Sequence, residues 1–118
     1  MGIGRLGSVT LECSDPQELA SFWAGLLGGE VLGSGQIAAV RAGEVWITAV
    51  RVADHHRSTW PDEPAGRHLD VAVEDLEVAQ AEAVRLGATV GPQAAPDMFR
   101  SMRDPAGHPF CLSTQIPN

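Results

Sequence analysis

The chain has 118 residues, enough for one domain that buries roughly two-thirds of the surface exposed by its unfolded form. With 44% hydrophobic and 19% charged residues it has the composition of an ordinary globular protein, which argues against a disordered or fibrous chain. A formal net charge of −7 argues against nucleic acid as a partner, because neutralising phosphates takes clustered Lys and Arg.

No apolar run approaches the about 18 residues of a membrane span, so no membrane partner is expected. The opening MGIGRLGSV lacks the hydrophobic stretch of an export signal, and the expected location is cytoplasmic. Gly2-Ile3-Gly4-Arg5-Leu6-Gly7 spells G-x-G-x-x-G, but the dinucleotide mechanism needs a strand before the glycines and a helix after them. Here the glycines open the chain and lead into a strand, so the match is a chance one. In that strand Val9, Leu11 and Cys13 alternate with Ser8, Thr10 and Glu12, the period of two expected of a half-buried strand. Asp15 then predicts a helix cap, with Pro16 at the first helical position and Glu18 at the third. Leu19, Phe22, Trp23, Leu26 and Leu27 fall on one stripe, and Gly28-Gly29 stops the helix. Three strands are predicted next, over about 30–32, 36–41 and 45–52, joined by Gly33-Ser34-Gly35 and Ala42-Gly43-Glu44 turns.

Residues 53–66, "ADHHRSTWPDEPAG", are polar and Pro-rich and read as a connector or lid. The second half starts with the strand-like "RHLDVAV" and a thinner, Ala-rich helix over about 76–86, whose apolar face is Leu76, Ala79, Ala83 and Leu86. Strands over about 89–90, 98–103 and 109–115 follow, the last two separated by the turn Asp104-Pro105-Ala106-Gly107-His108. The two halves align. Ser8 falls on His68, Leu11 on Val71, Cys13 on Val73, Asp15 on Asp75, Leu27-Gly28 on Leu86-Gly87, and Val31 on Val90. The expected architecture is α+β, two copies of a βαβββ unit in one chain, with module one at about 5–52 and module two at 67–116. Cys13 and Cys111 are too few for a disulfide scaffold and have no C-x-x-C partner, so both are expected as thiols.

This duplicated pattern, carried by "LECSDPQELASFWAGLLGGEV", "WPDEPAGRHLDVAVEDL", "LGATV" and "DPAGHPFCLS", resembles the vicinal oxygen chelate superfamily. That superfamily comprises glyoxalases, bleomycin-resistance proteins and extradiol dioxygenases. The resemblance implies a cupped sheet with helices outside, a cavity between the modules and a homodimer. It also implies a metal site at four positions, one at the start of the first strand and one on the last strand of each module. On this chain these are Ser8, Ile47, His68 and Cys111. Only His68 is an ordinary ligand there, and about three protein ligands are usual, so no metal cofactor is expected, with a divalent metal as the minor alternative.

Residues i and i+2 share a strand face, which groups Ser8, Thr10 and Glu12, then His68, Asp70 and Ala72, then Cys111, Ser113 and Gln115. The main expectation is a protein of the bleomycin-resistance kind that binds a small organic molecule through Ser8, Thr10, Glu12, Ile47, Trp60, Asp70, Cys111 and Ser113. The alternative is a lyase, isomerase or dioxygenase-like enzyme with His68 as catalytic acid or base, since imidazoles titrate near neutrality. His55-His56 diverge as neighbours on a loop, and His108 reads as a turn residue. Trp60 either anchors the connector or closes a cavity and stacks on a planar ligand.

Overall fold

Helix boundaries in the computed structural model, which describes residues 2–59 and 66–117, follow the predicted caps closely. The first half contains β1 (Ser8–Cys13), α1 (Pro16–Leu27), β2 (Val31–Ser34), β3 (Ile37–Ala42) and β4 (Val45–Arg51). The second contains β5 (Leu69–Ala72), α2 (Leu76–Leu86), β6 (Thr89–Val90), β7 (Phe99–Arg103) and β8 (Pro109–Ser113). The chain divides into two compact units, Met1–His55 and His56–Asn118, with the boundary inside the stretch read as a connector.

The two units repeat each other in local chemistry as well as in order. Asp15 accepts a hydrogen bond from the Glu18 amide at 3.1 Å, and Asp75 accepts one from the Val78 amide at 3.1 Å. Each carboxylate thereby satisfies one of the amides that a helix start leaves without a partner. Both helices end at a positive-φ glycine, Gly28 and Gly87, whose amide returns to a carbonyl of the last turn.

Both sheets have one topology, β1-β4-β3-β2 and β5-β8-β7-β6, with the first strand parallel to the last and the other pairs antiparallel. In the first unit Leu19, Phe22 and Trp23 of α1 are buried together with Leu11, Cys13, Val40, Ile47 and Ala49 of the sheet. The helix stripe is narrower than its spacing predicts, because Leu27 is 37% exposed. In the second unit Leu76 and Ala83 of α2 are buried, as are Met102, Phe110 and Leu112 of the sheet. Arg100 of β7 ties the two layers, donating from Nη1 to Gln80 Oε1 and from Nη2 to Glu77 Oε1, each at 2.8 Å.

Several strand ends differ from expectation. The Gly33-Ser34-Gly35 turn is a continuation of β2 through Ser34, and the chain reverses at Gly35-Gln36. Gly33 stays paired with Ala38 at φ +89, where a Cβ would lie 2.7 Å from the Ile37 carbonyl, so only glycine lets the hairpin close there. At the other end of the chain β8 stops at Ser113, whose hydroxyl accepts the Gln115 amide at 3.0 Å. Gln115, which the spacing placed on this strand, lies beyond its end.

Candidate functional site

The second unit gathers the polar groups. Parallel pairing of β5 with β8 sets Asp70 opposite Cys111 and Ala72 opposite Ser113, while antiparallel β7 sets Ser101 on the far side of Cys111. Alternation along the strands then puts Asp70, Cys111 and Ser101 in one row of the face opposite Phe110 and Leu112. His68, just before β5, joins this row: its Nε2 lies 3.3 Å from Asp70 Oδ1. One ligand atom each from His68, Asp70 and Cys111 falls within 4.8 Å of the others.

Exposure divides the three. The side chains of His68 and Asp70 are 36% and 51% accessible, whereas Cys111 is buried at 4%. Burial pushes the Cys111 thiol above its ordinary pKa and the nearby Asp70 charge adds to this, while the Ser101 hydroxyl, 3.9 Å from Sγ, opposes it. Ser113 is buried beside Ala72 on the same face.

Gln93, which no periodicity or motif marks, holds this region in register. Its Nε2 donates to the Gly91 and Ser101 carbonyls at 2.7 and 2.9 Å, and its Oε1 accepts the Ser101 amide at 2.9 Å. The side-chain amide thus pairs with Ser101 as a strand backbone would. Asp104, fully buried, accepts the Ala106 and His108 amides at 3.0 and 2.9 Å, so His108 does sit in the turn its sequence context suggests. Arg57 donates to the Pro105 carbonyl at 2.7 Å and clamps the same turn from outside.

In the first unit Ser8, Thr10 and Glu12 lie exposed on one face of β1, as their spacing predicts. The last-strand position needs correction. Ser8 pairs with Trp46 and Thr10 with Thr48, so Ile47 belongs to the opposite, helix-covered face, where it is 6% exposed. Since Thr10 corresponds to Asp70 in the repeat, the counterpart of Cys111 is Thr48 rather than Ile47. His55 and His56 bring no third donor to a cluster among the described residues. Trp60 lies outside the described residues.

The four positions implied by the resemblance therefore hold Ser8, Thr48, His68 and Cys111. The Ser8 and Thr48 hydroxyls are 2.9 Å apart and hydrogen-bond to each other. Neutral hydroxyls bonded to one another are poor metal donors, which leaves His68 and the buried thiol of Cys111 where about three protein ligands are usual. The usual four-position set does not fit a catalytic divalent cation.

Residues 8–113 match the family model of the glyoxalase-like domain. Among solved structures, a fosfomycin resistance protein FosX from Mesorhizobium loti is similar at 16% identity and a TM-score of 0.74, over 98% of this chain and 94% of that one. A glyoxalase/bleomycin resistance protein from Albidiferax ferrireducens shares 18% identity at a TM-score of 0.65, over 91% and 96%. A mutant FosX from Listeria monocytogenes, complexed with Mn(II) and 1S,2S-dihydroxypropylphosphonic acid, shares 18% at 0.69, over 98% and 93%. A search of curated protein sequences finds no match. Matched over nearly its whole length by the domain model and by these folds, the chain belongs to the glyoxalase-like domain family of the vicinal oxygen chelate superfamily.

Proposed function

We propose that this protein binds a small organic molecule on the polar face of its second unit, without the four-position metal site usual for its superfamily. The observation that carries this reading is the convergence of His68, Asp70 and Cys111 beside Ser101 on one face, while Ser8 and Thr48 occupy two of the four metal positions with bonded hydroxyls. Such a face offers an imidazole, a carboxylate and hydroxyls over a buried floor, the mixture that orients a ligand bearing hydrogen-bond donors or positive charge. The homodimer implied by the family resemblance is carried with the proposal, and sedimentation velocity tests it.

A thermal-shift screen of the metal-free protein against small amines and polyhydroxylated organics tests the binding reading. A ligand at 100 times its Kd stabilises by about 2.7 kcal/mol. His68→Ala and Asp70→Asn are expected to abolish that shift while leaving the unliganded melting transition in place. If no compound stabilises the protein, or if both variants keep the shift, the face is not the binding site.

The imidazole of His68 held 3.3 Å from a carboxylate also favours a second reading, an enzyme in which His68 moves a proton. Mass spectrometry of a bound ligand separates the two. Chemical conversion that stops in His68→Ala supports catalysis, and recovery of unchanged ligand supports binding alone.

A further inference from the structure

We propose that the face of the first sheet turned away from α1 binds an aromatic carboxylate, its anion on Arg41 beside Trp46 and its rings along the strands toward Ile37. The site lies within the first unit. Neither Arg41 nor Trp46 is among the four implied metal positions, and neither belongs to the binding face proposed for the second unit.

Strand register builds the face. Arg41 of β3 pairs with Trp46 of β4, which pairs in turn with Ser8 of β1. Alternation puts Ala39 and Ile37 on the side of Arg41, and Thr48 and Val50 on the side of Trp46, while Leu32 of β2 pairs with Ala39. The intervening residues Ala38, Val40, Ile47 and Ala49 are buried on the helix side. On the open side Leu32 and Ile37 stay 52% and 53% exposed. The hydroxyls in the middle of the face, Ser8 and Thr48, bond to each other at 2.9 Å. Their mutual bond lets an apolar body cover the centre without stranding a donor or an acceptor.

Positive charge gathers at one end. The Arg41 guanidinium carbon lies 5.7 Å from the centroid of the Trp46 ring, and Arg41 Nε donates to the Gly43 carbonyl at 3.0 Å. These two contacts fix the guanidinium plane, and its Nη1–Nη2 edge matches the two oxygens of a carboxylate. Arg5 brings a second cation to the same turn, donating from Nη1 to the Glu44 carbonyl at 3.3 Å. Both arginines are anchored by backbone carbonyls. Among the described residues neither forms an ion pair, whereas Arg85 and Arg100 each pair with a glutamate. Glu12 shares the face but stands in the row of Val50 and Ile37, about 13 Å along the strands from the row of Arg41. That separation exceeds the Debye length of about 8 Å, so the carboxylate does not cancel the cations. A guanidinium with an aromatic neighbour at one end and an open apolar strip beyond it suits an anion carried on a flat, fused-ring body.

The test is isothermal titration calorimetry of the full-length protein with 2-naphthoate and with 2-naphthalenemethanol, which keeps the rings and lacks the charge. Saturable binding of one naphthoate per chain is expected, with the alcohol weaker by about tenfold or more, as loss of a charged hydrogen bond requires. Added salt should weaken the acid and leave the alcohol nearly unchanged. Arg41→Gln should lower naphthoate affinity to that of the alcohol, and Trp46→Leu should lower it by about threefold or more. No binding up to the solubility limit of naphthoate overturns the inference, as does equal affinity for acid and alcohol or an affinity unchanged in Arg41→Gln. Self-association that Leu32→Ser abolishes, with no naphthoate binding, gives the face to a second copy and also overturns it. The comparison of acid with alcohol is made on the wild-type chain and needs no variant to fold. An amine shift lost in His68→Ala, alongside a blank naphthoate titration, sinks only this site. Naphthoate binding with no shift from any amine or polyol sinks only the reading of the second unit.

Discussion

His68 Nε2 and Asp70 Oδ1 stand 3.3 Å apart at the start of β5, with both side chains open to water at 36% and 51%. A pair so exposed is screened and costs side-chain entropy to hold, so it contributes under about 1 kcal/mol to folding. Asp70→Ala and His68→Ala are therefore expected to leave urea midpoints nearly unchanged. A large loss of stability in either would assign the pair to the fold rather than to the site.

Ile47 and Thr48 make the opposite contrast on neighbouring positions of β4. Ile47→Ala removes a side chain buried against α1 and should destabilise by about 2–4 kcal/mol. Thr48→Val keeps the shape and loses one hydroxyl contact to Ser8, for about 1 kcal/mol or less. Equal effects in equilibrium unfolding would mean that the register of β1 on β4 is wrong.

Asp104 organises the last turn from inside. Asp104→Ala removes the carboxylate that accepts the Ala106 and His108 amides, and a loss of about 2–4 kcal/mol is expected. Asp104→Asn keeps a side-chain oxygen for those amides and should lose less. Chemical denaturation of the two variants gives the comparison.

Gly107 lies at φ +87, and an added Cβ there would come within 2.7 Å of the Arg57 Cβ. Gly107→Ala combines the left-handed backbone with that clash and should cost about 2 kcal/mol. Gly4→Ala, which would meet nothing within 4 Å, serves as the neutral control in the same thermal melts.

The buried Cys111 thiol gives stability a pH dependence with a definite sign in the metal-free protein. Its folded pKa is raised above the ordinary 9.0 by burial and then by Asp70, so between the two values the native state holds the proton that the unfolded chain releases. Stability is full below 9.0 and declines as pH rises from there towards the folded value. Cys111→Ser should flatten that decline in urea titrations run across this window, and an unchanged slope would assign it to another group.

Much of the fold was legible in the residues because its signals are local. Asp15 and Asp75 cap helices through amides three positions on, and Gly28 and Gly87 stop them with backbone that other residues resist. The alternation Val9-Leu11-Cys13 against Ser8-Thr10-Glu12 told which side of β1 faces α1. With the internal repeat, these signals sufficed for two βαβββ units, and the resemblance of that pattern supplied the family.

The site was only half legible, for a reason of range. That His68 and Asp70 share a face follows from the pleat, which sequence spacing reports directly. Which residue of β4 or β8 stands across from them depends on inter-strand register, set by hydrogen bonds between distant segments, and a slip of one position exchanges the faces. The family resemblance carried onto the chain therefore named Ile47, while the pairing of Thr10 with Thr48 moved the position to Thr48 and sent Ile47 into the core. The same long-range pairing set Cys111 opposite Asp70 and brought Gln93 onto Ser101, neither of which any local pattern encodes. Local chemistry determined the strands and helices of this protein; the partners of His68 were decided by tertiary register.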